Sequence, residues 1–136
     1  MASSRDNTRF RARPVHPHQW LWEPLERDPA FVLRAMFGAK AVYLDGRIVL
    51  CFSTGEEPWN GLLVCTDQSR HAALQADFPM LVPHRILPKW LYLSEDSEAF
   101  DRVATRLVAL ARARDPRLGV VPTPKKRRRA RRVRPQ

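Results

Sequence analysis

The sequence predicts an α+β domain: an antiparallel sheet of about four to five strands built around a β-hairpin, with helices packed on one face and a long C-terminal helix. Two patterns lead to that fold class. Asp45-Gly46 lies between two runs rich in apolar and β-branched residues, and such a pair readily takes the positive φ angles of a type I′ hairpin turn. Strands are therefore expected near 40–44 and 47–53. Far downstream, Phe100, Val103, Ala104, Leu107, Val108 and Ala111 recur at the spacing of one helical face. With 136 residues, 44% of them hydrophobic, the chain has the apolar surface for one self-supporting core without disulfides or metal.

The remaining elements follow in order. Residues 1–18 are polar and basic and contain Pro14 and Pro17, so a flexible basic arm is expected. Gln19-Trp20-Leu21-Trp22-Glu23-Pro24-Leu25 is aromatic enough to pack on the domain as a turn. Asp28-Pro29 has the form of an N-cap followed by proline at the first helical position. That predicts a short helix through Phe31, Val32, Arg34 and Ala35, ended by Gly38. After the hairpin, residues 53–58 read as a turn-rich connection, and Asn60-Gly61 opens a third apolar strand, Leu62-Leu63-Val64-Cys65. Thr66-Asp67-Gln68-Ser69 offers capping side chains to a short helix holding His71, Ala72, Leu74, Gln75 and Phe78. Pro79, Pro83 and Pro88 exclude regular structure until Lys89-Trp90-Leu91-Tyr92-Leu93, whose alternation reads as a strand. The acid-rich Ser94-Glu95-Asp96-Ser97-Glu98 suits the positive end of a helix dipole. The apolar-striped helix starts there and stops at Asp115-Pro116. The folded domain is thus expected over 19–121, followed by a disordered Arg/Lys-rich tail over 122–136.

The formal net charge of +10 is concentrated at the two ends. Lys125, Lys126, Arg127, Arg128, Arg129, Arg131, Arg132 and Arg134 form a run of eight cations without an acid, and residues 1–15 carry four arginines against Asp6. The body between them has a formal charge of −1. No apolar run approaches the ~20 residues of a membrane span, and the first residues lack the apolar segment of a secretory signal. Cys51 and Cys65 fall among apolar neighbours and read as buried thiols acting as small hydrophobes. A cytoplasmic setting is expected.

Met36-Phe37-Gly38 followed by Tyr43-Leu44-Asp45-Gly46-Arg47 is similar to the "MFG…YLDGK" signature opening the TfoX N-terminal domain family, which groups with the MmcQ/YjbR-like small α+β proteins. The resemblance implies an antiparallel sheet flanked by helices, a bacterial cytoplasmic setting and a regulatory rather than catalytic role, with a link to DNA. A Trp-rich segment stands here where the family has a long helix before Met-Phe-Gly. The resemblance carries over no catalytic residue.

The candidate functional residues fall into two sets. The eight tail cations are the candidate nucleic-acid-binding residues: engaging phosphates on a duplex, they would give log K a slope of up to about −7 against log salt. Contact there is expected to be nonspecific, to DNA or RNA, because a tail without fixed geometry cannot read base edges. The second set, Trp59, Asn60, Lys89, Trp90 and Arg47, is a candidate ligand or partner site, with His84 and Arg85 near its rim. A loop tryptophan beside polar groups is a plausible anchor, and packing under the loops is the competing reading. His16 and His18 form a His-x-His pair, but zinc sites add Cys or acidic ligands at recognisable spacing, so no metal is expected. Five glycines form no phosphate loop, and Ser53 and Cys51 have no evident His-acid relay. The expected function is a TfoX-like, non-enzymatic binding or regulatory module needing no cofactor, with the tail attracting nucleic acid. The alternative is a small-molecule- or peptide-binding module with a pocket near Trp59 and Trp90. A protein partner is a further expectation, as is a monomer or weak homodimer through the hairpin edge.

Overall fold

Asp45 and Gly46 take φ angles of 56° and 78°, the pair of positive values a type I′ turn requires. The strands they join are β2 (Ala39–Leu44) and β3 (Arg47–Ser53). The computed structural model describes residues 16–36 and 38–122. Phe37 and the eight tail cations lie outside these residues, as does most of the basic arm.

The sheet has six strands, not four or five. Besides β2 and β3 it contains β1 (Phe31–Met36), β4 (Gly61–Val64), β5 (Val82–Pro83) and β6 (Leu91–Ser94), in the order β1-β2-β3-β4-β6-β5, all pairs antiparallel. β1 replaces the short helix expected over the same residues. Asp28 caps a turn instead, its Oδ1 accepting from the amide of Ala30 at 2.9 Å. Phe31 and Leu33 then alternate with Val32 and Arg34, the first pair packing on the core and the second exposed. Gly38, at φ 77°, lets Met36 pair with Ala39 across a tight reversal. The second miss is β5. Pro83 is tolerated because β5 is an edge strand, where a missing N–H costs no ladder bond. β6 begins only at Leu91, so Lys89 and Trp90 belong to the preceding loop, where the amide of Trp90 donates to Leu87 O at 2.9 Å.

A bulge in β3 sets which side chains reach which face. Val42 pairs with Leu50 but Tyr43 pairs with Ile48, leaving Val49 as an extra residue. Val49 and Leu50 therefore both enter the main core, while Ile48 and Cys51 face the other way. The main core fills one face of the sheet. Val42, Leu44, Phe52, Leu62, Val64, Leu91 and Leu93 meet the helices α1 (Gln19–Trp22), α2 (His71–Asp77) and α3 (Phe100–Arg112) there. The turn expected over the Trp-rich segment is α1 followed by a 3₁₀ turn, Glu23–Leu25. In α3 the six buried residues are Phe100, Val103, Ala104, Leu107, Val108 and Ala111, the stripe read from the sequence. The acid-rich 94–98 stretch lies ahead of the helix rather than in it. Its acids serve elsewhere: Glu95 bonds His18 Nε2 at 3.0 Å and Asp96 accepts from Asn60 Nδ2 at 3.3 Å.

After α3 the chain moves to the other side of the sheet. Arg114, in left-handed backbone, ion-pairs with Asp28 and with the hairpin Asp45 at 2.9 and 2.7 Å. Arg117 binds Asp115 and Asp77 at 3.0 and 2.9 Å. Leu118 is still in the main core, but Val120 packs on the opposite face. Gly119 makes the crossing, its amide donating to Cys65 O at 2.7 Å and its carbonyl accepting from Arg70 at 3.1 Å. Val120 then exchanges both backbone hydrogen bonds with Ile48, extending β3's pairing by one bridge. No helix among the described residues is long and apolar enough to cross a membrane.

Candidate binding groove

The face that the helices leave open has its own small cluster. Ala41, Ile48, Cys51, Leu63 and Cys65 are buried, with Met36, Tyr43, Leu87, Trp90 and Val120 packed on them and partly accessible. These side chains are apolar because the sheet is buried on both faces here, which explains the near-continuous runs of β3 and β4. Cys51 and Cys65 are free thiols with Sγ atoms 3.8 Å apart. Burial pushes the Cys65 thiol well above its ordinary value, and the Cys51 thiol adds to the effect. Such a thiol is a poor nucleophile.

Above this cluster lies a groove of about 570 Å³. Met36, Tyr43 and Ile48 come from the sheet, Ile86 to Trp90 form one wall, and Val120, Val121 and Pro122 form the other. Thr66, Asp67 and Lys89 are its polar lining. Two of these are occupied: Thr66 Oγ1 donates to Arg117 O at 2.7 Å, and Asp67 accepts from the Ser69 amide and pairs with Arg70. Lys89 is exposed. A smaller hollow of about 350 Å³, lined by Val32, Arg34, Tyr43, Gly46 and Pro122, adjoins the groove through Tyr43 and Pro122. The guanidinium of Arg34 lies 5.6 Å from the centre of the Tyr43 ring.

His84 shapes the 86–90 wall. Its ring is buried, with Nδ1 accepting from the amides of Ile86 and Leu87 at 3.1 and 3.0 Å. Nε2 must therefore carry the proton, which it donates to Pro58 O at 2.9 Å. Burial holds its pKa below the usual imidazole value; the Pro58 carbonyl opposes this and Arg85 adds to it. His84 is thus a neutral brace for the loop.

The five residues of the sequence-predicted ligand site are not gathered in one place. Lys89 and Trp90 line the groove. Trp59 packs instead on the far side of the brace, its ring 4.5 Å from that of His84. The side chain of Asn60 is held between the Tyr92 hydroxyl, which donates to Oδ1, and Asp96, and its carbonyl accepts from the Glu95 amide at 2.8 Å. Arg47 is exposed and lies along Gly119 outside the groove wall. A pocket shared by Trp59 and Trp90 is therefore replaced by a groove with Trp90 alone of the two. Sequence reasoning missed Tyr43, Met36 and Val120. The period-two alternation of β2 could have found Tyr43, whereas nothing local signals that Val120 folds back onto β3.

Among the described residues no group of three or more His, Cys, Asp or Glu side chains is placed to hold a metal ion. His16 and His18 are tied to the helix face, His18 by Glu95 and His16 edge-on to Trp22 at 5.1 Å. Compared with protein-family models, curated proteins and solved structures, the chain matches none.

Proposed function

We propose that this chain is a non-enzymatic binding module whose working surface is the open-face groove. The observation that carries the reading is the groove itself: concave, mostly apolar, with one partly exposed tryptophan and an exposed lysine in its lining. Ligand sites take this form, an apolar lining with a few polar groups that fix orientation. The thiols beneath are buried, burial pushes that of Cys65 well above its ordinary value, and the histidine beside the groove is fully bonded. Neither is poised for acid–base or nucleophilic work. The Met36-Phe37-Gly38…Tyr43-Leu44-Asp45-Gly46-Arg47 resemblance, which implies a TfoX-like regulatory domain rather than an enzyme, points the same way.

The test is methyl and indole NMR of the full-length protein during titration with small aromatic and apolar fragments. The expected shifts cluster on Met36, Ile48, Leu87, Trp90 and Val120. The reading fails if no fragment moves these signals, or if the responses gather around Trp59 instead.

A further inference from the structure

We propose that the groove takes a small aromatic carboxylate, its ring against Trp90 and Tyr43 and its carboxylate on Lys89. The inference deepens the binding-module reading and rests on it.

The groove is held open by backbone hydrogen bonds on both sides. On the loop side, the amides of Ile86 and Leu87 bind His84 Nδ1. Trp90 is fixed twice: its amide donates to Leu87 O and its carbonyl accepts from the His84 amide, each at 2.9 Å. The Lys89 carbonyl accepts from His71 Nε2 at 2.8 Å. On the other side, Val120 exchanges both backbone bonds with Ile48. Walls pinned in this way are kept from closing on the apolar floor, so Met36, Tyr43 and Trp90 stay partly exposed. A ligand that covers them orders little new protein, which is the advantage of a preformed site. The volume of about 570 Å³ lies within the roughly 300–1,000 Å³ of small-molecule sites.

The lining then narrows the ligand class. Trp90 and Tyr43 offer aromatic faces and edges, against which another ring gains attraction beyond the area it buries. The Met36 thioether adds a polarizable contact suited to a ring edge. The available charge is positive. Lys89 is exposed in the lining and ion-pairs with no acid among the described residues. Asp67, the one acid in the lining, is taken up by Arg70 and the Ser69 amide. A cationic ligand would therefore meet Lys89 with no spare carboxylate to answer it. A phosphate monoester would bring two charges to one lysine, and the amides of Ile86, Leu87, Trp90 and Val120 are already bonded. A single carboxylate on an aromatic body matches what the groove presents.

The test is calorimetric titration of the full-length protein with naphthoate, naphthamide and naphthylmethylammonium, the contacts being located by the methyl and indole NMR signals of the groove. In about 0.1 M salt, charges more than about 10 Å away are largely screened. There the carboxylate should bind about fivefold more tightly than the amide, the upper end for an exposed ion pair. The ammonium should bind more weakly than both. Lys89→Met changes an exposed side chain and keeps an apolar stem, so it should erase the advantage while leaving the amide's affinity unchanged. Trp90→Ala should weaken acid and amide alike by roughly tenfold, and Trp90→Phe should restore most of that loss. Arg34→Ala, in the adjoining hollow, should leave the advantage intact.

Equal affinity of acid and amide for the parent protein would overturn the proposal, as would an advantage that survives Lys89→Met. An advantage lost with Arg34→Ala instead would move the carboxylate to the hollow and overturn it too. If neutral fragments move the groove signals and naphthoate gains nothing over naphthamide, this proposal falls and the binding-module reading stands. If neither acid nor neutral fragments reach the groove, both fall.

Discussion

His84 accepts two backbone amides at Nδ1 and donates at Nε2, so adding a proton removes the acceptor that holds Ile86 and Leu87. Its folded pKa lies below the ordinary 6.5. The unfolded chain therefore binds more protons than the native one in that window. Stability due to this group is fully present above pH 6.5 and is lost as pH falls through the folded value. His16, lowered by burial and by His18 and Lys40, acts with the same sign. The melting temperature should thus fall on acidification below pH 6.5. His84→Asn, which keeps an acceptor near Nδ1 but cannot titrate, should melt lower at neutral pH and show a flatter profile. An unchanged profile would remove His84 from this role. Two glycines give a sharper contrast. A Cβ on Gly61, at φ 151°, would run into the backbone carbonyl of Leu93, and Gly61→Ala should cost about 3 kcal/mol or more, since a strained backbone and a steric clash combine. Gly38, at φ 77° with nothing within 4 Å, should lose only about 1 kcal/mol on change to alanine, the cost of the left-handed conformation alone. Chemical denaturation of the two variants measures the difference.

At the scale of elements, α3 holds the stripe that closes the core. Leu107→Ala should cost about 3 kcal/mol through lost burial and a residual cavity, while Arg102→Ala on the exposed face should stay within about 0.5 kcal/mol. Matched urea titrations read both. The stripe was legible because its period extends over more than three turns, and the hairpin because Asp45-Gly46 is a strong local signal. β1 was not legible. The segment 30–36 after Asp28-Pro29, apolar but for Arg34, fits a helix start as well as a strand, and the pairing with β2 that decides between them is tertiary. β5 was hidden because its Pro83 argues against a strand unless the segment is known to be an edge. The groove suffered from the same blindness. Lys89 and Trp90 were found as a polar-aromatic pair, but Tyr43 meets them only across the folded sheet, and Val120 only through the return of the chain onto Ile48. Trp59 and Asn60 read from the sequence either as a loop anchor or as packing, and the structure packs Trp59 on the His84 brace and holds Asn60 by Tyr92.

For the whole molecule, the ordering of layers explains how residues 117–122 come to share in both faces of the sheet. Helices cover one face, a loop wall and the 120–122 segment partly cover the other, and the chain passes between them at Gly119. Residues 117–120 belong to the fold through Thr66, Cys65, Ile48 and the buried Leu118. A chain ending at Pro122 keeps every one of these contacts and should melt cooperatively near the parent temperature. A chain ending at Pro116 loses them and bares Ile48 and Cys65, and it should be destabilised by about 3 kcal/mol or more. Thermal denaturation followed by circular dichroism separates the two. In genetic terms the crossing draws a line within the reading frame. A stop codon just after position 122 would yield a folded protein without the eight cations of residues 125–134, and such an allele could still compete for the groove's partner. One placed before position 117 would behave as a simple loss of protein.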